Sequence, residues 1–126
     1  MFQAQERTLA GFSLITAVIL LVVAFMISTP ASAHGPKGVD LQYEASTQTL
    51  SVTITHSVKN PAKHYIEDIS ISVNGERVSQ HEYKSQPGKD TFTFEYKVPA
   101  KDGDTIKVKA GCNYFGSKSA ELTVGK

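Results

Sequence analysis

Tyr65–Tyr83, YIEDISISVNGERVSQHEY, reads as two strands around a tight turn. Ile69, Ile71 and Val73 recur at every second position, the period of a strand with one buried face. Asn74-Gly75 follows at once, and Asn-Gly is the pair that most readily takes the positive φ values of a two-residue hairpin turn. Arg77–Tyr83 then returns. Ile66 is out of phase with the Ile69 row, as a β-bulge would make it.

The same period runs outward on both sides. Val39–Tyr43 alternates apolar and polar, and Leu50, Val52, Ile54 and His56 fall on one face of Thr49–His56. Downstream, Phe92, Phe94, Tyr96 and Val98 are in phase over Thr91–Val98. Ile106, Val108, Ala110 and Cys112 are in phase over Thr105–Asn113, and Ala120, Leu122 and Val124 over Lys118–Val124. Gln86-Pro87-Gly88 and Lys101-Asp102-Gly103-Asp104 read as turns. No helical period, repeat or low-complexity tail interrupts the pattern. Seven strands with short connections predict an all-β fold for residues 34–126, a seven-stranded antiparallel β-sandwich of immunoglobulin-like type.

Residues 1–33 differ in kind. Leu14–Ile27 is a 14-residue run in which Thr16 is the only polar member, and Ser28-Thr29-Pro30 and the small-x-small Ala31-Ser32-Ala33 follow it. A spanning helix needs about 20 apolar residues, whereas a shorter run ending in small residues is the pattern of a secretory signal peptide. The expectation is a signal peptide over 1–33, cleavage after Ala33 and an exported domain, most simply in a bacterial periplasm. The alternative is an uncleaved N-terminal membrane anchor. Cleavage would make His34 the first residue of the mature chain.

Composition excludes several classes. One cysteine in 126 residues rules out an intramolecular disulfide framework and any zinc site built from two cysteines of this chain. Thirteen Lys+Arg against 12 Asp+Glu, a formal net charge of +1, give no electrostatic case for nucleic acid. Neither a phosphate-binding glycine loop nor a nucleophile elbow occurs.

The metal-ligating residue types gather at strand ends. If the strands alternate in direction, the ends of even strands meet the starts of odd ones. His56 and Cys112 finish the second and sixth strands, while His64 and His34 precede the third and first, so all four converge at one end of the sandwich. Imidazole and thiolate suit iron, copper and zinc. Taken singly, His56 reads as a rim histidine and Cys112 as a small buried hydrophobe. A lone thiol in an oxidising compartment nevertheless calls for protection, which ligation provides. A reactive thiol with His56 or His64 as its base is a further reading. His81, between Gln80 and Glu82, reads as a solvated edge-strand residue.

HSVKNPAKHYIE, His56–Glu67, with the following strand and Asn74-Gly75, resembles the His…His-Tyr-Ile-Glu segment of superoxide reductases, the neelaredoxin and desulfoferrodoxin iron domains. VKAGCNYFG, Val108–Gly116, resembles their Cys-Asn-x-His-Gly segment. The resemblance implies a mononuclear ferrous (Fe2+) site with four histidine nitrogens, one axial cysteine sulfur and an open position. There superoxide would take one electron and leave, protonated, as hydrogen peroxide. His56 and His64 match the histidine pair and Cys112 the axial thiolate; His34 matches by position alone. Phe115 stands where the family's fourth histidine falls, and the gap from His56 to His64 is two residues longer than usual. The family's Glu-Lys pair before its first histidine is absent, which leaves Lys37 and Lys63 as candidates for the catalytic lysine that draws in the anion.

With the iron site intact, the implied activity is that of a superoxide reductase-like oxidoreductase with superoxide as substrate. It needs an external electron donor, since the chain has no second redox motif. The sequence is compatible with a monomer or a homo-oligomer. Two other readings stay open. In one, the same ligands hold copper for delivery, storage or electron transfer, with the amine and imidazole of an N-terminal His34 chelating it as in a histidine brace. In the other, the sandwich is a metal-free interaction module.

Overall fold

The structure, a computed structural model, describes residues 35–126. The signal peptide expected over 1–33, its cleavage site and His34 lie outside the described residues. Seven strands occur in the order β1 (Gly38–Glu44), β2 (Thr49–Thr55), β3 (Ile66–Val73), β4 (Glu76–Glu82), β5 (Thr91–Lys97), β6 (Thr105–Cys112) and β7 (Ser117–Thr123). They form a three-stranded sheet, β1-β2-β5, and a four-stranded sheet, β4-β3-β6-β7. Every neighbouring pair is antiparallel. The architecture is the all-β antiparallel sandwich that the alternating rows predict, and the described residues contain no helix.

The period-two rows become the core. Leu50, Val52 and Ile54 of β2, Ile69 and Ile71 of β3, and Ile106, Val108 and Ala110 of β6 are fully buried. β2, β3 and β6 are interior strands of their sheets, so their apolar faces oppose one another across the sandwich. The edge strand β4, ERVSQHE, carries Val78 outward at 52% exposure. Charged and polar residues on an unpaired edge discourage pairing with another chain.

Two bulges adjust the four-stranded sheet. Ile66 pairs with Cys112 and Asp68 with Gly111, so Glu67 is the extra residue on β3. This is the irregularity that the phase of Ile66 predicts, and it keeps both Ile66 and Ile69 in the core. A second shift lies opposite Ile71 and Ser72, which pair with Ser79 and Arg77. Asn74 (φ 52°) and Gly75 (φ 82°) form the expected turn between β3 and β4.

Candidate metal centre

Because odd strands pair only with even ones, the last residue of β2, the approach to β3 and the last residue of β6 meet at one end. His56 follows β2 directly. Its backbone N–H donates to Asp90 O at 2.7 Å and that of Val58 to Lys89 O at 2.8 Å. His64 is set by a tight turn: the Asn60 carbonyl accepts from Lys63 N (3.1 Å) and His64 N (2.9 Å), and Asn60 Oδ1 accepts from Ala62 N (3.0 Å). Asn followed by Pro suits such a turn, since the amide oxygen caps local N–H groups and the ring presets φ. Cys112 closes β6, its N–H donating to Gly116 O at 3.0 Å.

One potential ligand atom from each of His56, His64 and Cys112 lies within 4.8 Å of the other two, so the group could hold a metal ion. His64 Nε2 stands 3.0 Å from Cys112 Sγ. The two imidazoles meet edge to face, with centroids 4.7 Å apart at 89°. Tyr114 stacks on His64 at 4.5 Å and 22°, and its backbone N–H donates to Cys112 Sγ at 3.4 Å. Bonds of about 2.0–2.3 Å from one ion to N and S place its donors roughly 3–4 Å apart, the range in which the His64 Nε2–Cys112 Sγ pair falls.

Two residues hold the cluster that sequence reasoning gave no role. Asn113 Oδ1 accepts from Tyr65 N at 2.9 Å, and its Nδ2 donates to Lys63 O at 2.9 Å. It thereby fastens the end of β6 to the turn carrying His64. Gln86 is buried, with Oε1 2.8 Å from His56 Nδ1. Asn113 sits directly after Cys112 in the Cys-Asn-x-x-Gly stretch, a position that could have marked it as a support of the site. Gln86-Pro87-Gly88 looks like an ordinary solvent turn, and nothing local marks its glutamine as buried.

The structure brings together three of the four expected ligands; the fourth, His34, lies outside the described residues. His56 is not at the rim, since only 1% of it is exposed beneath the turn that carries Gln86. Phe115, in place of a fourth imidazole, is 73% exposed. Lys63, with Lys59, His64 and Tyr114, lines an open cleft of about 530 Å³. Lys37 does not line that cleft. Its N–H donates to Thr55 O at 2.7 Å and its carbonyl accepts from Lys118 Nζ at 2.7 Å. His81 does lie on an edge strand, but it is half-buried rather than solvated. Its ring stacks on Tyr96 of the opposite sheet at 4.4 Å and 27°.

No family model matches the chain. No curated protein matches it either. Solved structures do. The chain is similar in structure to superoxide reductases. A neelaredoxin variant from Ignicoccus hospitalis is 19% identical, with a TM-score of 0.45 over 75% of this chain and 81% of that one. The superoxide reductase of Nanoarchaeum equitans is 18% identical, with a TM-score of 0.42 over 78% of this chain and 99% of that one. The reduced neelaredoxin of Archaeoglobus fulgidus is 17% identical, with a TM-score of 0.42 over 73% and 89%.

Proposed function

We propose that residues 34–126 are an exported mononuclear metal domain of superoxide-reductase type, with His56, His64 and Cys112 as ligands to iron and His34 as a further one. The observation that carries the reading is the convergence of two imidazoles and one thiol within 4.8 Å, on the residues that both sequence motifs single out. Iron accepts both donor types. Iron held by these residues would supply one-electron chemistry: with two protons, one electron would convert superoxide to hydrogen peroxide, and an external donor would have to restore it.

The chain's own residues set the conditions. Lys59 and Lys63 give the cleft beside His64 a positive lining for a small anion. Tyr114 covers one face of the His64 ring and directs its N–H at the Cys112 sulfur. Asn113 holds the His64 turn against the end of β6. Export and cleavage after Ala33 belong to the same proposal, because they would place the lone thiol in an oxidising compartment where ligation protects it.

The test is to express the full chain in a bacterium, recover the processed protein without chelator, and measure its N-terminus, metal content and superoxide consumption. The expected result is a chain beginning at His34, near one iron each, consuming superoxide well above a free-iron control and above His56→Ala. Iron-loaded protein no faster than the control removes the catalytic assignment. Protein without metal, its Cys112 freely titratable, removes the metal reading and leaves an interaction module.

A copper site is the second reading, and Phe115 favours it. Its exposed ring leaves two imidazoles and one thiol as the donors brought together among the described residues. His₂Cys is the donor set of blue-copper centres. Near one copper per chain, with an intense visible thiolate-to-copper band in the oxidised protein, would select it over iron.

A further inference from the structure

We propose that Gln86 is a positioning residue that fixes the tautomer of His56, holding the ring hydrogen on Nδ1 so that Nε2 carries the lone pair for a metal. Its consequence for the metal rests on the proposed function; the tautomer itself does not require a bound ion.

Gln86 is 5% exposed, and its surroundings determine which way its amide lies. The Nε2 group donates to two main-chain carbonyls, His56 O at 3.0 Å and Gly88 O at 2.8 Å. Oε1 accepts from Ile66 N at 3.2 Å. Turning the amide over would press its NH₂ against the Ile66 N–H and its oxygen against both carbonyls, exchanging three hydrogen bonds for three like-with-like contacts. The oxygen therefore faces the His56 ring, 2.8 Å from Nδ1. An amide oxygen has no hydrogen to give, so Nδ1 must be the donor. A neutral imidazole carries one N–H, which leaves the lone pair on Nε2.

The same amide reaches both the ring and the carbonyl of His56, so it holds the side chain relative to its own backbone. It also ties that histidine to the segment bearing the other one. Gln86 N donates to Pro61 O at 3.1 Å, in the turn before His64, and Ile66 follows that histidine by two positions. A ligating histidine needs its second nitrogen oriented by an acceptor, and removing such an acceptor typically costs about 10–100-fold in metal affinity.

The experiment is a long-range ¹H–¹⁵N correlation of the His56 ring in metal-free protein at about pH 8, above the ordinary imidazole range. The same spectra are taken of Gln86→Met and Gln86→Glu, with Co²⁺ titrations of all three. The wild type is expected to carry its hydrogen on Nδ1 alone. Gln86→Met, similar in length but without an acceptor, is expected to mix the tautomers and to lose roughly 10–100-fold in Co²⁺ affinity. Gln86→Glu loses the two donations to the His56 and Gly88 carbonyls and is expected to be less stable, but it keeps an acceptor toward Nδ1 and is expected to keep the tautomer, a split that a merely structural role would not produce. A wild-type hydrogen on Nε2 overturns the proposal, as does a folded Gln86→Met with the wild-type tautomer and affinity. Should Gln86→Met fail to fold, the wild-type and Gln86→Glu spectra decide. A wild type with Nδ1–H that binds no Co²⁺ would end the metal reading while upholding the role of Gln86.

Discussion

Asn113 is the residue whose loss should be felt most directly at the centre, because its two amide ends join segments that the sequence keeps far apart. Removing it strips the acceptor from Tyr65 N and the donor from Lys63 O. Each ordinary hydrogen bond contributes about 0.5–1.5 kcal/mol, so Asn113→Ala is expected to cost roughly 1–3 kcal/mol. For a domain of this size that corresponds to a melting temperature lower by about 4–8 °C per kcal/mol. Metal affinity should fall with it, since the turn carrying His64 would lose its side-chain tie to the end of β6 and keep only the main-chain bond from Asn113 N to Tyr65 O. Thermal unfolding of the metal-free protein, followed by metal titration, checks both; an unchanged melting temperature would remove Asn113 from this role. At this scale the sequence was legible for the donors and not for their supports. Imidazole and thiol announce their chemistry wherever they stand, whereas an amide becomes informative only once burial and partners are known. His56 shows the same limit. Its place at the end of an apolar row was readable, but its full burial depends on a turn thirty residues later.

At the scale of strands and turns, the loop after β6 depends on a glycine packed against a glycine. Gly116 has φ 88°, and a Cβ there would lie 2.9 Å from Gly35 Cα. Its carbonyl also receives the Cys112 N–H. Gly103 has a similar φ of 90° but nothing within 4 Å of a built Cβ. Gly103→Ala should therefore show the left-handed backbone cost alone, about 1–2 kcal/mol, while Gly116→Ala adds a collision and displaces the Cys112 loop. Parallel chemical denaturation would reveal the difference, and equal losses would mean that the Gly35 contact contributes nothing.

The turn at Asp104 offers a pH test. Hydrogen bonds from Lys101 N–H and then the Asn74 amide hold its carboxyl below the usual aspartate range. A depressed folded-state value means that the contribution is present above the unfolded value of about 3.9 and is lost as pH falls through the folded one. Asp104→Asn should flatten the acid limb of a stability-against-pH curve, and an unaltered limb would refute that assignment. The strands were legible because a buried face imposes its period directly on the sequence, even to the bulge at Ile66. Contacts between turns, such as Asn74 with Asp104, leave no such trace.

For the whole molecule, the question is what closes a sandwich whose sheets share no hydrogen-bonded strand. Along the side where β4 faces β5, aromatic rings do so. Tyr83, just beyond β4, stacks on Phe94 at 4.6 Å and 6°, and His81 stacks on Tyr96. The Tyr83 and Tyr96 hydroxyls meet at 2.7 Å. Burial, reinforced by the hydrogen bond and charge of Tyr83, pushes the Tyr96 phenol well above its ordinary range. A raised folded-state value stabilises the fold below the unfolded phenol's value of about 10. That contribution is lost as pH climbs from there toward the folded value, because the unfolded chain releases its proton first. Tyr96→Phe keeps the ring against His81 but deletes the hydroxyl contact. At neutral pH it should be less stable by about 0.5–1.5 kcal/mol, and it should lose less than the wild type between about pH 9 and 11. Urea unfolding across that range measures both effects. Coincident curves, with no offset at neutral pH and the same alkaline limb, would show that the two sheets are held along this edge by ring packing alone, with the paired hydroxyls contributing nothing to the closure.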